Sequence, residues 1–378
     1  MNLAGAYAGS AIEKGCDDPL IEYLYCRYAH GILADELTTR LCKSADKMQA
    51  SGYAPIRKYF ANLRAGRALW KNRDTNVWDR VAQYQTAAIN NFIEMAQDKS
   101  TPIEEIDETG QELVQTVSSE DWALKMIIDD AEPLLTQNWP QNDAAYALKA
   151  ALYYNYAWRA RGNAFADKVT DAGWKGFNER LAVASEAAEK AWALNPKNTR
   201  IPTLMVKLAE VTQKPRPEME RWFAKAMELE PNNYEACQCK LHYLYPQWYG
   251  SDEEMLEFGR ECVASQVWTG TVPLILVDAR EQISIYIQDK EERKAYWKQP
   301  EVWKDIASAY DRFFEKNPDG VGWHHNYAYY AYRCEQWDAL NAQIKLLGDV
   351  DYSYFGGKEK FNEMVELAKK HAGSVAEK

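Results

Sequence analysis

Two segments of the chain decide the fold: Ala191-Trp192-Ala193-Leu194-Asn195-Pro196 and Ala226-Met227-Glu228-Leu229-Glu230-Pro231. Their prolines lie 35 residues apart, within one residue of a period that is common among stacked helical hairpins. In such a hairpin the small residue five positions before the proline, here Ala191 or Ala226, lets the second helix approach the first closely. The proline then starts the next unit, so the two segments predict repeated pairs of antiparallel helices.

Further copies extend this pattern, whose spacing is that of tetratricopeptide repeats. A third copy ends at Pro318, with Tyr310 at the bulky position and Phe313 where the small residue is expected, and a fourth is predicted near Leu135 and Pro140. Elsewhere apolar residues recur three and four positions apart, with few alternating β-branched runs. The prediction is an all-α fold, a right-handed α-solenoid of antiparallel helix pairs.

The regularity of the repeats suggests a division into two regions. Residues 1–140 are predicted to form a divergent helical N-terminal region, and residues 141–378 a tetratricopeptide-like repeat region. Two helix starts are predicted from capping patterns. Thr101 and Pro102 are expected at the N-cap and first helical positions of one helix, and Ser251 with Glu254 forms a capping box for another.

Composition restricts the partners of the protein. The 378 residues include 14 Trp and 24 Tyr and carry a formal net charge of -11, which disfavours nucleic acid as a partner. The charge is uneven: residues 94–132 hold 12 acidic and 2 basic residues, whereas residues 57–80 hold 7 basic and 2 acidic ones. These stretches are expected to face each other or the solvent, and the alternative is a docking site.

The seven cysteines lack the dense, even spacing of a disulfide-stapled domain, which favours a reducing compartment. The N-terminus shows no basic segment followed by an apolar one, as a signal peptide would. The visible sequence therefore predicts a cytoplasmic protein, or an exported one if an upstream signal peptide was removed. The longest uncharged run, Cys262 to Val277, has 16 residues and is too short and too polar to span a bilayer.

A set of longer motifs resembles a bacterial family. The motifs are Gly15-Cys-Asp-Asp-Pro-Leu20, Tyr156-Ala-Trp-Arg-Ala-Arg-Gly162, Tyr245-Pro-Gln-Trp-Tyr-Gly-Ser251 and Phe355-Gly-Gly-Lys-Glu-Lys-Phe361. Together they are similar to domain of unknown function 4034 over most of the chain. The resemblance implies a helical-repeat fold and assigns no activity, and members of that family are often exported.

A basic stripe is the first candidate ligand site. Arg57, Arg64, Arg67 and Lys71 fall within an arc of roughly 80° on a helix, and Trp70 lies to one side of that arc, on the apolar face. Guanidinium groups bind carboxylates in a forked geometry, so the stripe would suit an acidic peptide or a C-terminal carboxylate. A solvated or internally paired face is the alternative, in which the basic stems cover the apolar edge.

Aromatic residues provide the other candidates. Tyr154 and Trp158 lie four residues apart on one predicted helix, followed by Arg161, and such a row forms either core or the lining of a groove for a peptide or a sugar chain. Trp248 and Tyr249 lie between a proline and a capped helix. They are expected to plug a hairpin corner, and exposure to a ligand is the alternative.

No metal or cofactor is predicted. Cys237, Cys239 and His242 do not converge on one helix face, and the adjacent His324 and His325 diverge. The sequence contains no Gly-x-Ser-x-Gly, His-Glu-x-x-His, Walker A or Gly-x-Gly-x-x-Gly signature.

Three functions remain open from the sequence. The leading one is a non-enzymatic helical-repeat module that binds a protein or peptide partner, possibly an acidic one, with no catalytic residue assigned. The alternative is a carbohydrate-active or other hydrolytic α/α protein with two carboxylates in an aromatic cleft. A third is a structural subunit whose charged halves meet neighbouring copies, and the oligomeric state is not predicted.

Overall fold

The computed structural model describes residues 3–28, 31–72 and 77–372, and these residues contain helices and no strand. The chain divides into two compact units, Met1–Ile201 (unit 1) and Pro202–Lys378 (unit 2). The prediction of an all-α fold of paired helices is confirmed. The right-handed sense of the superhelix stays a prediction. The predicted division at residue 140 also stays a prediction, because it separates divergent from regular repeats, whereas the two units are separated by compactness.

Unit 1 consists of helices joined mostly by short loops. They are α1 (Leu3–Glu13), α2 (Pro19–Tyr28), α3 (Ala34–Gln49), α4 (Pro55–Asn72), α5 (Trp78–Gln97), α6 (Ile103–Val117), α7 (Asp121–Met126), α8 (Glu132–Asn138), α9 (Asp143–Arg161) and α10 (Asp171–Leu194). A π-helical segment, Ile127–Ala131, connects α7 to α8. Helices α3 and α4, α4 and α5, and α9 and α10 pack against each other. Because each pair is consecutive in the chain and joined by a short loop, its members are antiparallel.

Unit 2 continues the helical pairs. Its helices are α11 (Arg200–Val211), which begins just before the boundary, α12 (Arg216–Leu229), α13 (Tyr234–Tyr243), α14 (Asp252–Ala264), α15 (Ile275–Tyr286), α16 (Lys290–Trp297), α17 (Pro300–Lys316), α18 (Trp323–Arg333), α19 (Trp337–Ile344) and α20 (Lys358–Ala372). Helices α12 and α13, α14 and α15, and α18 and α19 pack as consecutive pairs.

The predicted repeat copies share one helix-ending geometry. In each copy the residue before the proline donates its backbone N–H to the carbonyl four residues earlier, at the predicted small position. The four bonds are Trp139 to Leu135 (2.9 Å), Asn195 to Ala191 (3.0 Å), Glu230 to Ala226 (3.0 Å) and Asn317 to Phe313 (2.9 Å). The helices that end before Pro140, Pro196, Pro231 and Pro318 therefore close with the same type of bond, and the number of repeat copies stays a prediction.

The third copy tolerates a large residue at the small position because of a glycine in the following loop. Phe313 is buried in place of an alanine. Gly320 follows Pro318 by two residues, and a Cβ atom built on it would lie 3.0 Å from the Phe313 ring. The ring thus occupies space that a side chain at position 320 would need.

The two predicted capping patterns have different outcomes. Ser251 is the N-cap of α14 and its Oγ accepts a hydrogen bond from the Glu254 N–H, as predicted (3.2 Å). The N-cap assigned to Thr101 is wrong. Pro102 has extended backbone angles and itself occupies the N-cap position, so α6 begins one residue later than predicted, at Ile103.

Helix α4 contributes to two hydrophobic clusters in unit 1. Its residues Ala61 and Leu69 pack in a cluster with Leu41 of α3. Its residues Tyr59 and Leu63 pack in a second cluster that reaches α9. Because both flanks of α4 are anchored in this way, the polar residues between them are held in a fixed position.

Candidate functional site

A cavity of about 980 Å³ opens in unit 1 along the C-terminal half of α4. Helices α2, α3, α5 and α6 and the segment 118–122 supply its other walls. Part of its floor is aliphatic and consists of Leu37, Leu41, Leu63 and Val81. Small residues at Ala34, Gly66, Ala68 and Ala82 leave the space open.

Three of the four residues of the predicted basic stripe line this cavity. Arg64, Arg67 and Lys71 project from successive turns of α4 into its wall. Arg57 does not line it, because it lies seven residues, or about 10 Å along the helix axis, before Arg64. The stripe is therefore one helix edge, and only its C-terminal part faces the cavity.

The stripe residues differ in how their charges are balanced. Arg67 forms a salt bridge with Glu112 of α6, and its other amino group donates to the Thr116 hydroxyl at 2.6 Å. Arg64 donates from Nε to the hydroxyl of Tyr23 at 2.9 Å, which leaves its two terminal amino groups available. Within the described part of the chain, neither Arg64 nor Lys71 has a carboxylate partner.

Arg27 adds a third cation of this kind from α2, opposite the stripe. Its guanidinium carbon lies 5.3 Å from the Tyr28 ring centroid, and no described carboxylate pairs with it. Three cations thus share one cavity without an acidic partner among residues 3–28, 31–72 and 77–372. Together with Arg67, these cations outnumber the two carboxylates of the cavity lining, although the net charge of the chain is -11.

Tryptophans surround the same cavity. All 14 tryptophans lie in the described part of the chain, and only three are exposed: Trp70 (52%), Trp78 (56%) and Trp122 (40%). All three line the cavity. No ring or cation of another described residue stacks on any of them. Trp70, which helical periodicity placed on the apolar face of α4, is thus exposed in the wall of the cavity.

The cavity lining contains one thiol and two carboxylates. Burial raises the pKa of the Cys26 thiol to about 12, with the nearby Glu22 acting in the same direction, so this residue is not a ready nucleophile. The two carboxylates in the lining are Asp79, which is exposed, and Glu120, which is partly exposed.

The predicted residues Tyr154, Trp158 and Arg161 lie elsewhere in unit 1. The Trp158 ring packs edge-on against Phe177 at 5.2 Å, and Tyr154 is 6.5 Å from Trp158. The guanidinium of Arg161 lies 5.5 Å from the Trp158 ring and 5.3 Å from the Trp174 ring. These residues pack on one another between α9 and α10, away from the cavity.

The predicted residues Trp248 and Tyr249 lie in unit 2, in the loop between α13 and α14. Tyr249 stacks on Tyr243 at 4.6 Å and donates its hydroxyl to the Glu210 carbonyl at 2.8 Å. Trp248 lies 5.8 Å from the His242 ring. These contacts fit the expected plug at a hairpin corner better than a free ligand surface.

His242 and Cys237 have internal contacts. His242 Nδ1 lies 2.8 Å from Glu210, and the Cys237 sulfur lies 3.6 Å from that of Met227. The described residues include no group of three or more His, Cys, Asp or Glu arranged to hold a metal ion. None of the described helices is both long and apolar enough to cross a membrane.

Sequence reasoning missed Arg27, Trp78 and Trp122 as cavity residues. They come from α2, α5 and α7, which are far apart in the sequence, and no local pattern indicates that they meet α4. Trp70 carried a usable signal, since it precedes Lys71 directly and follows Arg67 by three positions. Residues three and four apart share a helix surface, so an indole belonged among the candidate ligand residues.

Comparison with known proteins adds little to this description. No family model and no curated protein matches the chain, and the resemblance to domain of unknown function 4034 stays a prediction. Among solved structures, the human IFIT1 dimer with m7Gppp-AAAA is similar at 11% identity and a TM-score of 0.29. The match covers 93% of this chain and 71% of that one. A TM-score this low assigns neither a fold nor a ligand.

Proposed function

We propose that the protein is a non-enzymatic helical-repeat module that binds an acidic peptide segment of a partner protein in the unit 1 cavity. The observation that carries the proposal is the set of three cations, Arg27, Arg64 and Lys71, that share the cavity without acidic partners among the described residues. An anionic ligand group would supply the missing charge. The cavity volume of about 980 Å³ is sufficient for several side chains.

Arg64 is the residue best prepared to bind a carboxylate. Its bond to Tyr23 fixes the guanidinium through Nε, and Tyr23 is itself buried. The two terminal amino groups then form a fixed pair of donors that matches the two oxygens of a carboxylate. Because the side chain is already held in place, binding costs less conformational entropy than it would for a free arginine.

A polyanion is a less suitable ligand than a short acidic segment. The net charge of -11 would repel a long nucleic acid, whereas one or two carboxylates interact mainly with the local cations. A neutral sugar chain would leave the cations unpaired. The resemblance to domain of unknown function 4034 is compatible with this proposal, since it implies a helical repeat and no activity.

The proposal is tested by selecting peptides from a random twelve-residue display library. The cavity variant Arg64→Gln/Lys71→Gln is compared with the matched variant Arg57→Gln/Lys58→Gln, which removes the same charge from α4 outside the cavity. We expect wild type and the matched variant to enrich peptides rich in Asp and Glu, and the cavity variant to lose that enrichment. Circular dichroism establishes that all three proteins are folded.

Two results would contradict the proposal. Equal enrichment by all three proteins would place the binding elsewhere, and no enrichment by wild type would remove the peptide ligand altogether. The same proteins are exposed to RNA oligonucleotides and to an oligosaccharide panel. If RNA or an oligosaccharide bound more tightly than the peptides, and only the cavity variant lost that binding, the peptide proposal would be replaced. Hydrolysis of an oligosaccharide would also replace it.

A further inference from the structure

The concentration of exposed tryptophan at one place calls for a second ligand group besides the carboxylate. Tryptophan is large and apolar, and it contributes strongly to binding where it is exposed at a recognition surface. The exposed indoles of Trp70, Trp78 and Trp122 all line the cavity that holds the unpaired cations. Eleven other tryptophans are wholly or partly buried.

The charge of the cavity decides what these indoles can bind. An indole face attracts cations, aromatic rings and apolar groups. A cationic ligand would be repelled by Arg27, Arg64 and Lys71. An aromatic or large apolar group remains, and the aliphatic floor at Leu37 and Leu41 suits the same kind of group.

The spacing on α4 fixes how close the two ligand groups must be. Trp70 shares a helix surface with Arg67, three residues earlier, and lies six residues, or about 9 Å along the helix axis, from Arg64. An extended peptide advances about 3.3–3.6 Å per residue. Side chains separated by more than two or three residues would overshoot this distance.

We infer that the cavity recognises a peptide segment in which an aromatic side chain lies within three residues of an acidic one. The acid pairs with Arg64 and its neighbouring cations, and the ring packs among Trp70, Trp78 and Trp122. This inference rests on the proposed function and specifies the ligand of the same site. A nucleotide also combines an anion with a ring, and the test treats it as the competing outcome.

The first test uses the peptides enriched in the display selection. We expect Phe, Tyr or Trp to occupy positions within three residues of an acidic one at least three times more often than in the unselected library. A Trp70→Ala/Trp122→Ala variant should keep the enrichment of acids and lose that of rings. The control is Phe165→Ala, which removes an exposed ring outside the cavity and should change nothing.

The second test measures affinity by calorimetry, without a dye that would itself be an anionic ring. One enriched peptide is compared with two versions of it, one with the ring replaced by Ala and one with the acid replaced by its amide. We expect each change to weaken binding by about tenfold or more. In the Trp70→Ala/Trp122→Ala variant, the ring replacement should no longer matter, because its contact is already lost.

The results separate the inference from the proposed function. Enrichment of acidic peptides without rings, or equal affinity after ring removal, would overturn the inference and leave the acidic-peptide function standing. Failure of every acidic peptide would overturn both. Guanosine monophosphate that bound more tightly than the best peptide, with the same dependence on Arg64 and Trp70, would assign the cavity to a nucleotide instead.

Discussion

Arg64 in the cavity of unit 1 and three arginines of unit 2 differ in how their charges are balanced. In unit 2, Arg280 of α15 pairs with Asp305 of α17 at 2.6 Å, and Arg260 of α14 pairs with the same carboxylate at 2.9 Å. Arg333 of α18 pairs with Glu281 at 2.6 Å and lies 3.9 Å from the Trp297 ring. In the cavity of unit 1, Arg64 has only the Tyr23 hydroxyl as a described side-chain partner.

The difference separates arginines that hold the fold together from an arginine that is available to a ligand. The Arg280 and Asp305 side chains are only 5% and 8% exposed, so each charge depends on the other. Arg64 lies at the wall of an open cavity, where water solvates its charge in the absence of a ligand. Substitutions in the two places should therefore affect different measurements: stability in unit 2 and binding in unit 1.

The largest expected effect comes from Asp305→Ala. The substitution leaves the buried Arg280 without a carboxylate and removes a partner of Arg260 as well. Loss of one member of a buried ion pair typically lowers the free energy of unfolding by about 3–5 kcal/mol. Urea denaturation followed by circular dichroism measures the change.

A matched control for Asp305→Ala is Glu281→Ala, which removes the partner of the less deeply buried Arg333. We expect its destabilisation to be clearly smaller. If Asp305→Ala cost no more than Glu281→Ala, burial would not distinguish the two ion pairs, and the structural role assigned to Arg280 would be wrong.

A smaller effect is expected from replacing an arginine beside a ring in each unit. Arg333→Gln removes the bond to Glu281 and the contact with Trp297, and should lower the free energy of unfolding by about 1–2 kcal/mol. Arg64→Gln should lower it by less than about 1 kcal/mol, because one hydrogen bond is lost and repulsion within the cavity is relieved. Comparable losses in both variants would remove the distinction between the two arginines.

The repeat architecture could be predicted from the sequence because its signals are local. The helix end before each proline is determined by residues within one turn, so the copies at Pro196 and Pro231 were recognisable from a short motif. The compensation at Phe313 was not, because it depends on Gly320 in the next loop. The N-cap predicted at Thr101 was wrong for a local reason, because Pro102 has an extended backbone and itself occupies the N-cap position.

The candidate site could be predicted only where it lies on a single helix. Helical periodicity placed Arg64, Arg67 and Lys71 on one edge of α4, which the structure shows. It did not show that Arg67 pairs with Glu112, 45 residues away, while Arg64 has no acidic partner among the described residues. Helical periodicity also did not predict that Trp78 and Trp122 line the same cavity. The pairing of charges and the formation of the cavity depend on how the helices pack. The periodicity of residues within one helix does not predict that packing.

The smallest expected effect concerns Asp278, a carboxylate of unit 2 that departs from the pattern of paired charges. Tyr234 donates its hydroxyl to Asp278, and the described part of the chain shows no cation paired with that carboxylate. Burial raises the pKa of Asp278 above its ordinary value, and the nearby Glu281 acts in the same direction. Folding therefore favours the protonated form of this residue.

The sign of the pH dependence follows from that preference. Below the pKa of the unfolded chain, near 4, Asp278 is protonated in both states and has no effect on the pH dependence of stability. Between pH 4 and the higher pKa of the folded state, Asp278 is deprotonated in the unfolded protein but still protonated in the folded one. The stability of the wild type therefore falls as the pH rises through this range. Asp278→Asn keeps an acceptor for Tyr234 and carries no charge, so its stability relative to wild type should increase from pH 4 to pH 7. Urea denaturation at several pH values measures this difference. If the difference did not change with pH, the charged form of Asp278 would be solvated in the folded protein, as the unpaired cations of the cavity are. Unpaired charges in the two units would then not differ in their effect on stability.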